Sequence, residues 1–469
     1  MVMGDLVTGC DVLVVGGGPG GYTAAIRAAQ LGKDVLLVEK HDLGGVCVYR
    51  GCIPSKTLIH AANFIYDIKN PGNIGIKTSV EFDYKKIQAW RFEVVKKLRD
   101  GITHLCKKYG VQVMKGEAFF ESSNKARVTL PDGETSTIQF EKAVIATGSR
   151  SSDFPGYPYD GKFVINSNDA LGLMKVPEEM VIIGAGYISI ELGTMYAKLG
   201  TRIRIIQRSS RILTKFDPEL VEVVSQKMKK LGMEVYYNSS PQGMRKEKDK
   251  AIVTIADNTG KKTDLQADKI MVAVGVKPNS ENLGLENTKV ELDNKGFIKV
   301  DDKRRTTDHE IFAVGDVAGA PLLAHKAFRE GKVAAEVIAG LPSAFDNRAI
   351  PATVFSDPEI ATVGLGEESA RKAGFEISTG KFPFRASGSA LTIDRPEGFV
   401  KVVANKKTGE ILGIHIVGTH ASMLISEASH TIEMAALLED LAGTIHPHPT
   451  LPEMLAEASE VALGKAIHL

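Results

Sequence analysis

The sequence predicts an α/β chain with two nucleotide-binding βαβ domains followed by a C-terminal α+β domain on an antiparallel sheet, and three observations carry that expectation. An apolar strand, a glycine turn, an Ala-rich helix and a second apolar strand run through DVLVVGGGPGGYTAAIRAAQLGKDVLLVEK, Asp11 to Lys40. The same arrangement returns in MVIIGAGYISIELGTMYAKLGTRIRIIQR, Met180 to Arg208. From about Ile350 the pattern changes to shorter runs, PATVFSDPEIATVGL, KFPFRAS and FVKVVANKKTGEILGIHIVG, with TGE as a hairpin turn.

In the first unit Gly16, Gly18 and Gly21 follow the strand, and the second strand ends at Glu39. In the second unit Gly184, Gly186 and Ser189 lead to Gln207. Gly16 to Glu39 and Gly184 to Gln207 both span 23 positions, which points to two Rossmann-like units of one kind. They hold either two cofactors or one cofactor beside a degenerate copy. Between them NPGNIGIKTSV, Asn70 to Val80, reads as loop, and Phe82 to Gly110 as a helix with a charged, solvated face. VQVMKGEAFF and KAVIATGSR read as strands, the latter ending at Gly148, and KIMVAVGVKPN and EIFAVGDVAG as apolar strands stopping at glycines. The divisions expected are 1–150, 151–277, 278–349 and 350–469.

Composition narrows the function. A chain of 469 residues is long for one core, so about two to four domains are expected. Hydrophobic residues at 43% and charged residues at 25% fit packed domains, and no apolar run approaches the roughly 20 residues that span a bilayer. The start, MVMGDLVTGCDVLVV, lacks a basic n-region and a small-residue cleavage site, so a cytoplasmic location is expected. A net charge of +1, with both signs well mixed, offers no footprint for nucleic acid or anionic lipid. Four cysteines are too few for a disulfide scaffold.

The glycine turns let backbone approach a pyrophosphate, which then sits at the positive end of the following helix. Glu39 is placed to accept hydrogen bonds from a ribose. Gln207 can bind a ribose hydroxyl without repelling a 2′-phosphate, and Arg208 and Arg211 follow closely, either as surface charges or as phosphate ligands. The choice between NAD and NADP stays open, with a lean to NAD.

In GGVCVYRGCIPSK, Gly44 to Lys56, Cys47 and Cys52 lie five residues apart. As inert small hydrophobes they sit oddly among Gly, Pro and charged residues. As zinc ligands they need two further partners, and no second close pair exists. A redox pair is the remaining account. CIPSKTLIHAANFIYDI reads as a helix opening near Cys52 with proline in its first turn, and the helix dipole together with Lys56 favours a thiolate there.

That segment resembles the active-site signature of the flavin-dependent pyridine nucleotide disulfide oxidoreductases. The resemblance runs along essentially the whole chain, through ATGS at Ala146 to Ser149, VGVKPN at Val274 to Asn279, AVGDVAG at Ala313 to Gly319, FSDPEIATVG, GEILGIHIVG and HPHPTLPEM. Ser55 and the HPHPTLPEM ending bring it nearest the members that oxidise dihydrolipoamide. Tyr49 stands where the family usually has Asn, Arg50 where a small apolar residue is common, and Lys277 where Arg is usual.

The resemblance implies FAD on 1–150 and 278–349, held by Gly16, Gly18, Gly21, Glu39, Lys56, Gly148, Asp316 and Ala324. It implies NAD, with NADP open, on 151–277, held by Gly184, Gly186, Tyr187, Gln207, Arg208 and Gly275. No metal is implied. Cys47 would be the interchange thiol and Cys52 the thiolate against the flavin, with Lys56 near the flavin and paired with Glu191. His448 would be the base, oriented by Glu453 and reaching the disulfide of a second subunit, so that 350–469 is a dimerisation domain and the protein a homodimer. A base is needed because a thiol of pKa about 8.5 is only a few per cent ionised at neutrality. His446, beside it, reads as structural. The implied partner is lipoamide, free or on a lipoyl domain of a 2-oxoacid dehydrogenase or glycine cleavage complex. Rival readings are a reductase for a low-molecular-weight disulfide such as glutathione, disfavoured by Ser55 where a second lysine is usual, and a mercuric reductase, disfavoured by an ALGKAIHL terminus without vicinal cysteines. A non-catalytic flavin-bearing subunit would need neither the cysteine pair nor the His-Glu pair.

Overall fold

Strands Val12–Val15 and Val35–Val38 are buried on both faces, and this is why they read as unbroken apolar runs rather than alternating ones. The computed structural model describes residues 7–72 and 74–469. The reading of Met1 to Leu6 at the chain start, and of position 73 in the expected loop, lies outside the described residues. The described chain forms two compact units, one of residues up to 58, 85–152 and 275–346, the other of 59–84, 153–274 and 347–469.

The first unit is built on a seven-stranded sheet. Its strands run in the order Gln112–Lys115, Val35–Glu39, Val7–Val15, Thr135–Ile145, Lys125–Thr129, Glu117–Ser122, with Ile311–Ala313 also pairing with Thr135–Ile145. The first four and Ile311–Ala313 are parallel, while the 117–145 segment adds an antiparallel meander. Val12, Val14, Val35 and Leu37 pack against Ala24, Ala25 and Ala28 of helix Pro19–Gln30 and Ala334 and Ala335 of helix Ala324–Ile338. Leu13, Val15, Leu36 and Val38 point the other way, onto Phe120 and Ile138. The alternation of a pleated strand thus serves two cores. The strand expected to reach Gly148 ends at Ile145, because the chain there turns to lie against the first glycine turn: a Cβ on Gly16 would stand 2.5 Å from the Ala146 carbonyl oxygen. The next strand, Ser149–Ser151, instead pairs antiparallel with Val276–Pro278.

In the second unit a five-stranded parallel sheet runs Glu234–Tyr236, Arg202–Ile206, Glu179–Ile183, Lys269–Val272, Val164–Ile165. A three-stranded antiparallel sheet, Ser239–Glu247, Lys250–Asp257 and Lys262–Ala267, covers it with Val253, Ile255 and Leu265. The C-terminal part is antiparallel, in the order Ala352–Val354, Glu359–Gly364, Ile411–Gly418, Phe399–Asn405, Ile377–Pro383. Val400, Val402, Ile414 and Ile416 of that sheet bury against Leu424, Ile425 and Ala428 of helix Ala421–Glu433 and Leu455 and Ala458 of helix Glu453–Leu463. The loop expected at Asn70 to Val80 contains no helix or strand among its described residues, and the charged helix runs Tyr84–Lys108.

Candidate active site

Two glycine pairs shape the first turn. A Cβ on Gly21 would stand 1.8 Å from the Gly16 carbonyl oxygen, so the helix starts tight against the strand it leaves. A Cβ on Gly45 (φ +57°) would stand 2.6 Å from Gly18 Cα, and the Gly44 N–H donates to the Gly17 carbonyl at 2.8 Å. The cysteine segment is therefore pinned to the nucleotide turn by backbone alone. Gly18 caps helix Pro19–Gln30, and Gly186 caps helix Tyr187–Lys198, both without a side-chain hydrogen bond. Such an N-terminus offers backbone N–H groups and a positive dipole end to an anion. Glu39 closes the first unit: its carboxylate accepts the Gly17 N–H at 2.6 Å and the His41 N–H at 2.7 Å, which aims it along the turn.

After Gly44 and Gly45 the chain makes a π-helical turn, Val46–Arg50, and then enters helix Cys52–Lys69. The π-turn brings the two cysteines together across five positions. Both are thiols. The Cys47 thiol is held strongly protonated, first by its hydrogen bond with Cys52 and then by burial, while the Lys56 ammonium pulls the other way. A hydrogen bond that keeps the proton on Cys47 leaves Cys52, at the helix N-terminus, as acceptor. Arg50 stacks over the Tyr49 ring at 5.5 Å, and Tyr49 is exposed.

Asp316 lies on a 3₁₀ turn, Gly315–Ala318, and its carboxylate accepts the Ser149 hydroxyl at 2.6 Å. Burial pushes Asp316 up from the usual carboxylate range, against the Ser149 hydrogen bond and the Lys326 charge. Gly148 precedes it in the opposing loop with φ +70°, and Ala324 opens the following helix. Ser149 is a candidate site residue, through its bond to Asp316, that motif reading passed over, since ATGS drew attention to its glycine.

In the second unit Gly184 (φ +99°) packs onto strand Lys269–Val272's continuation, where a Cβ would stand 2.6 Å from the Ala273 carbonyl oxygen. Tyr187 begins the helix and is exposed. Glu191, on the same helix, is buried and accepts the Phe355 N–H at 3.0 Å. Gly275 has φ +128°. Gln207 stands one residue beyond strand Arg202–Ile206, and its amide donates to the Arg211 carbonyl at 2.9 Å, closing the loop that follows; Arg208 is exposed.

At the C-terminus His448 and Glu453 come together: His448 Nδ1 lies 2.7 Å from Glu453 Oε1, and Glu453 Oε2 accepts the Thr450 N–H at 2.6 Å. Burial works to raise Glu453, but the Thr450 hydrogen bond and the two neighbouring histidines outweigh it and hold the carboxylate ionised below its usual range. With Nδ1 donating to that carboxylate, Nε2 is the basic nitrogen, and the imidazole is 80% exposed. His446 is bound on both nitrogens, to the Thr444 carbonyl and to Glu427.

This set defines a class. Residues 10–331 match the pyridine nucleotide-disulphide oxidoreductase model and residues 350–459 match the dimerisation domain of the same enzymes, and the chain belongs to that family. Within it, the whole chain is 46% identical to the dihydrolipoyl dehydrogenase of Haloferax volcanii, covering 99% of that protein. It is 44% identical to the dihydrolipoyl dehydrogenase of Bacillus subtilis with both chains covered in full. Among solved structures, LpdA of Mycobacterium tuberculosis superposes with a TM-score of 0.90 at 25% identity, covering 97% of this chain and 99% of that one. The HOCl-induced flavoprotein disulfide reductase RclA of Escherichia coli superposes with a TM-score of 0.86 at 25% identity, with the same coverage. The protein is an FAD- and pyridine-nucleotide-dependent oxidoreductase. No helix among the described residues is long and apolar enough to cross a membrane.

Proposed function

We propose that the protein oxidises dihydrolipoamide to lipoamide and passes the electrons to NAD+, as a homodimer in the cytoplasm. The observation that carries this reading is the 46% identity along the full chain to dihydrolipoyl dehydrogenases, on a framework that keeps Cys47 beside Cys52 and His448 beside Glu453.

The first glycine turn fits FAD: its helix N-terminus carries no side-chain cap, and Gly18 and Gly45 leave a backbone-lined approach that a Cβ would fill. Gly16, Gly18, Gly21, Glu39, Gly148, Asp316 and Ala324 would hold it, with Lys56 beside it. Gly184, Gly186, Tyr187, Gln207, Arg208 and Gly275 would hold the pyridine nucleotide. When bound, FAD supplies the two-electron chemistry that links a dithiol to a nicotinamide hydride.

The chain's own residues handle protons and sulfur. His448 Nε2 takes a proton from dihydrolipoamide, and the Glu453 carboxylate stabilises the imidazolium so formed. The substrate thiolate attacks Cys47 of the Cys47–Cys52 disulfide in a second copy of the chain. A mixed disulfide forms at Cys47 and Cys52 leaves as thiolate. The second substrate thiol then attacks the substrate sulfur of that mixed disulfide, closing the lipoamide ring and returning Cys47 as a thiol. Cys47 holds its proton strongly in the reduced pair, so the base is needed again for the reverse reaction. The substrate is lipoamide free or carried on the lipoyl domain of a 2-oxoacid dehydrogenase or glycine cleavage complex.

The test is steady-state oxidation of dihydrolipoamide with NAD+ and NADP+ in parallel. Wild type forms reduced nucleotide, and Cys52→Ser loses at least about a thousandfold in kcat while keeping its flavin. If neither nucleotide is reduced by dihydrolipoamide, the substrate assignment fails and low-molecular-weight disulfides reduced from NADPH take its place.

A further inference from the structure

The Gly315–Ala318 turn that carries Asp316 is held at both ends by one pair of side chains on helix Ala324–Ile338. At its start, the Gly315 N–H donates to Glu330 Oε2 at 2.8 Å. At its end, Lys326 Nζ donates to the Gly319 carbonyl at 3.0 Å and also to Glu330 Oε2 at 3.0 Å. Arg304 donates to the other carboxylate oxygen, Oε1, at 2.8 Å. Glu330 is completely buried and the Lys326 side chain is 3% exposed. Arg304 reaches the site from a left-handed backbone, φ +64°, with its guanidinium stacked over Phe345 at 5.0 Å. A β-carbon residue in that conformation is retained where the surroundings over-determine it.

Buried ion clusters of this kind contribute little net stability, because desolvating three charges offsets their attraction and well-packed apolar groups do as well or better. What an apolar cluster could not do is grip the two backbone groups that frame Asp316. We propose that Glu330 and Lys326 are positioning residues for the flavin, acting through the turn that presents Asp316; this rests on the FAD assignment of that turn made above. The Glu330 and Lys326 charges act on Asp316 in opposite senses, the first raising and the second lowering it, and both are smaller than the effects of burial and of the Ser149 hydrogen bond, so what the pair controls is the place of that carboxyl.

The experiment is titration of deflavinated protein with FAD, followed by flavin fluorescence and by the visible absorption bands of the bound flavin, beside thermal melting of the same apoproteins. Glu330→Gln keeps an acceptor for Gly315 but removes the charge. Lys326→Met removes the grip on Gly319 while leaving Glu330 its Arg304 and Gly315 partners. Lys326→Arg keeps the charge. Both Glu330→Gln and Lys326→Met are expected to weaken FAD binding at least about tenfold and to shift the flavin bands, with Lys326→Arg close to wild type. Wild-type affinity and bands in Lys326→Met overturn the inference, whatever happens to melting. If Glu330→Gln does not fold, Lys326→Met and Lys326→Arg decide alone. Wild-type protein that fails to take up FAD overturns the flavin reading itself, and the inference with it.

Discussion

The two glycine turns have the same length and equally tight first glycines, where a Cβ would stand 2.5 Å from backbone at Gly16 and 2.6 Å at Gly184, but they differ at the third position. In the first, a Cβ at the third glycine position would run into the Gly16 carbonyl at 1.8 Å, and the unit ends in a carboxylate locked by two backbone N–H groups. In the second, the equivalent position already carries a side chain: Ser189 is fully buried, and its hydroxyl oxygen has no hydrogen-bond partner among the described residues. That unit ends in Gln207, whose amide closes its own loop on the Arg211 carbonyl. The first turn leaves no room for a β-carbon at that position, whereas the second has slack for a side chain there.

The largest effect is expected from Gly21→Ala. The new methyl cannot be relieved by rotating a side chain, because what it meets is backbone. The cost belongs at the upper end of overpacking, about 3 kcal/mol, and flavin is lost with it. Chemical denaturation with a count of bound flavin per chain checks both. A variant that keeps its flavin and its stability would erase the claimed asymmetry between the turns.

Gln207→Glu comes next and tests the strand end. A carboxylate there repels a 2′-phosphate, and it also loses the donor that closes the 207–211 loop. The ratio of kcat/KM for NAD+ over NADP+ should rise by about tenfold, the equivalent of 1.4 kcal/mol. An unchanged ratio would show that Arg208 and Arg211, not position 207, face the ribose.

How far the sequence carries such arguments differs between these regions for physical reasons. Both βαβ units were readable because buried parallel strands are continuous apolar runs and their turns require glycine. The antiparallel C-terminal sheet announced itself through the change of pattern after about Ile350 and the TGE turn. The sheet of 239–267 did not, since its outer strand, SSPQGMRKE, is polar with Pro and Gly and becomes a strand only through pairing with AIVTIA. At the site, Cys47 with Cys52 and His448 with Glu453 are close in sequence and could be paired on paper. Ser149 with Asp316 and Glu330 with Arg304 are separated by 167 and 26 positions, and nothing local couples them before the fold exists. The grip of Glu330 on Gly315 is a side-chain to backbone contact, which no pattern of residue types reveals.

The smallest effect, and the sharpest test of slack, is Ser189→Ala. An unpartnered buried hydroxyl carries its desolvation cost without compensation, so replacing it with a methyl should stabilise the apoprotein by about 1 kcal/mol. Ser189→Gly, which restores the pattern of the first turn, should lose that gain, because glycine in a helix costs about 1 kcal/mol relative to alanine. Denaturation midpoints of the two variants, each with and without saturating NAD+, separate the cases. If alanine is stabilising only in the absence of NAD+, the hydroxyl acquires its partner when the nucleotide binds, and the slack at Ser189 is a contact waiting for its ligand. If alanine is destabilising in both, the turn is as tightly specified as the first and the contrast between the two units does not hold.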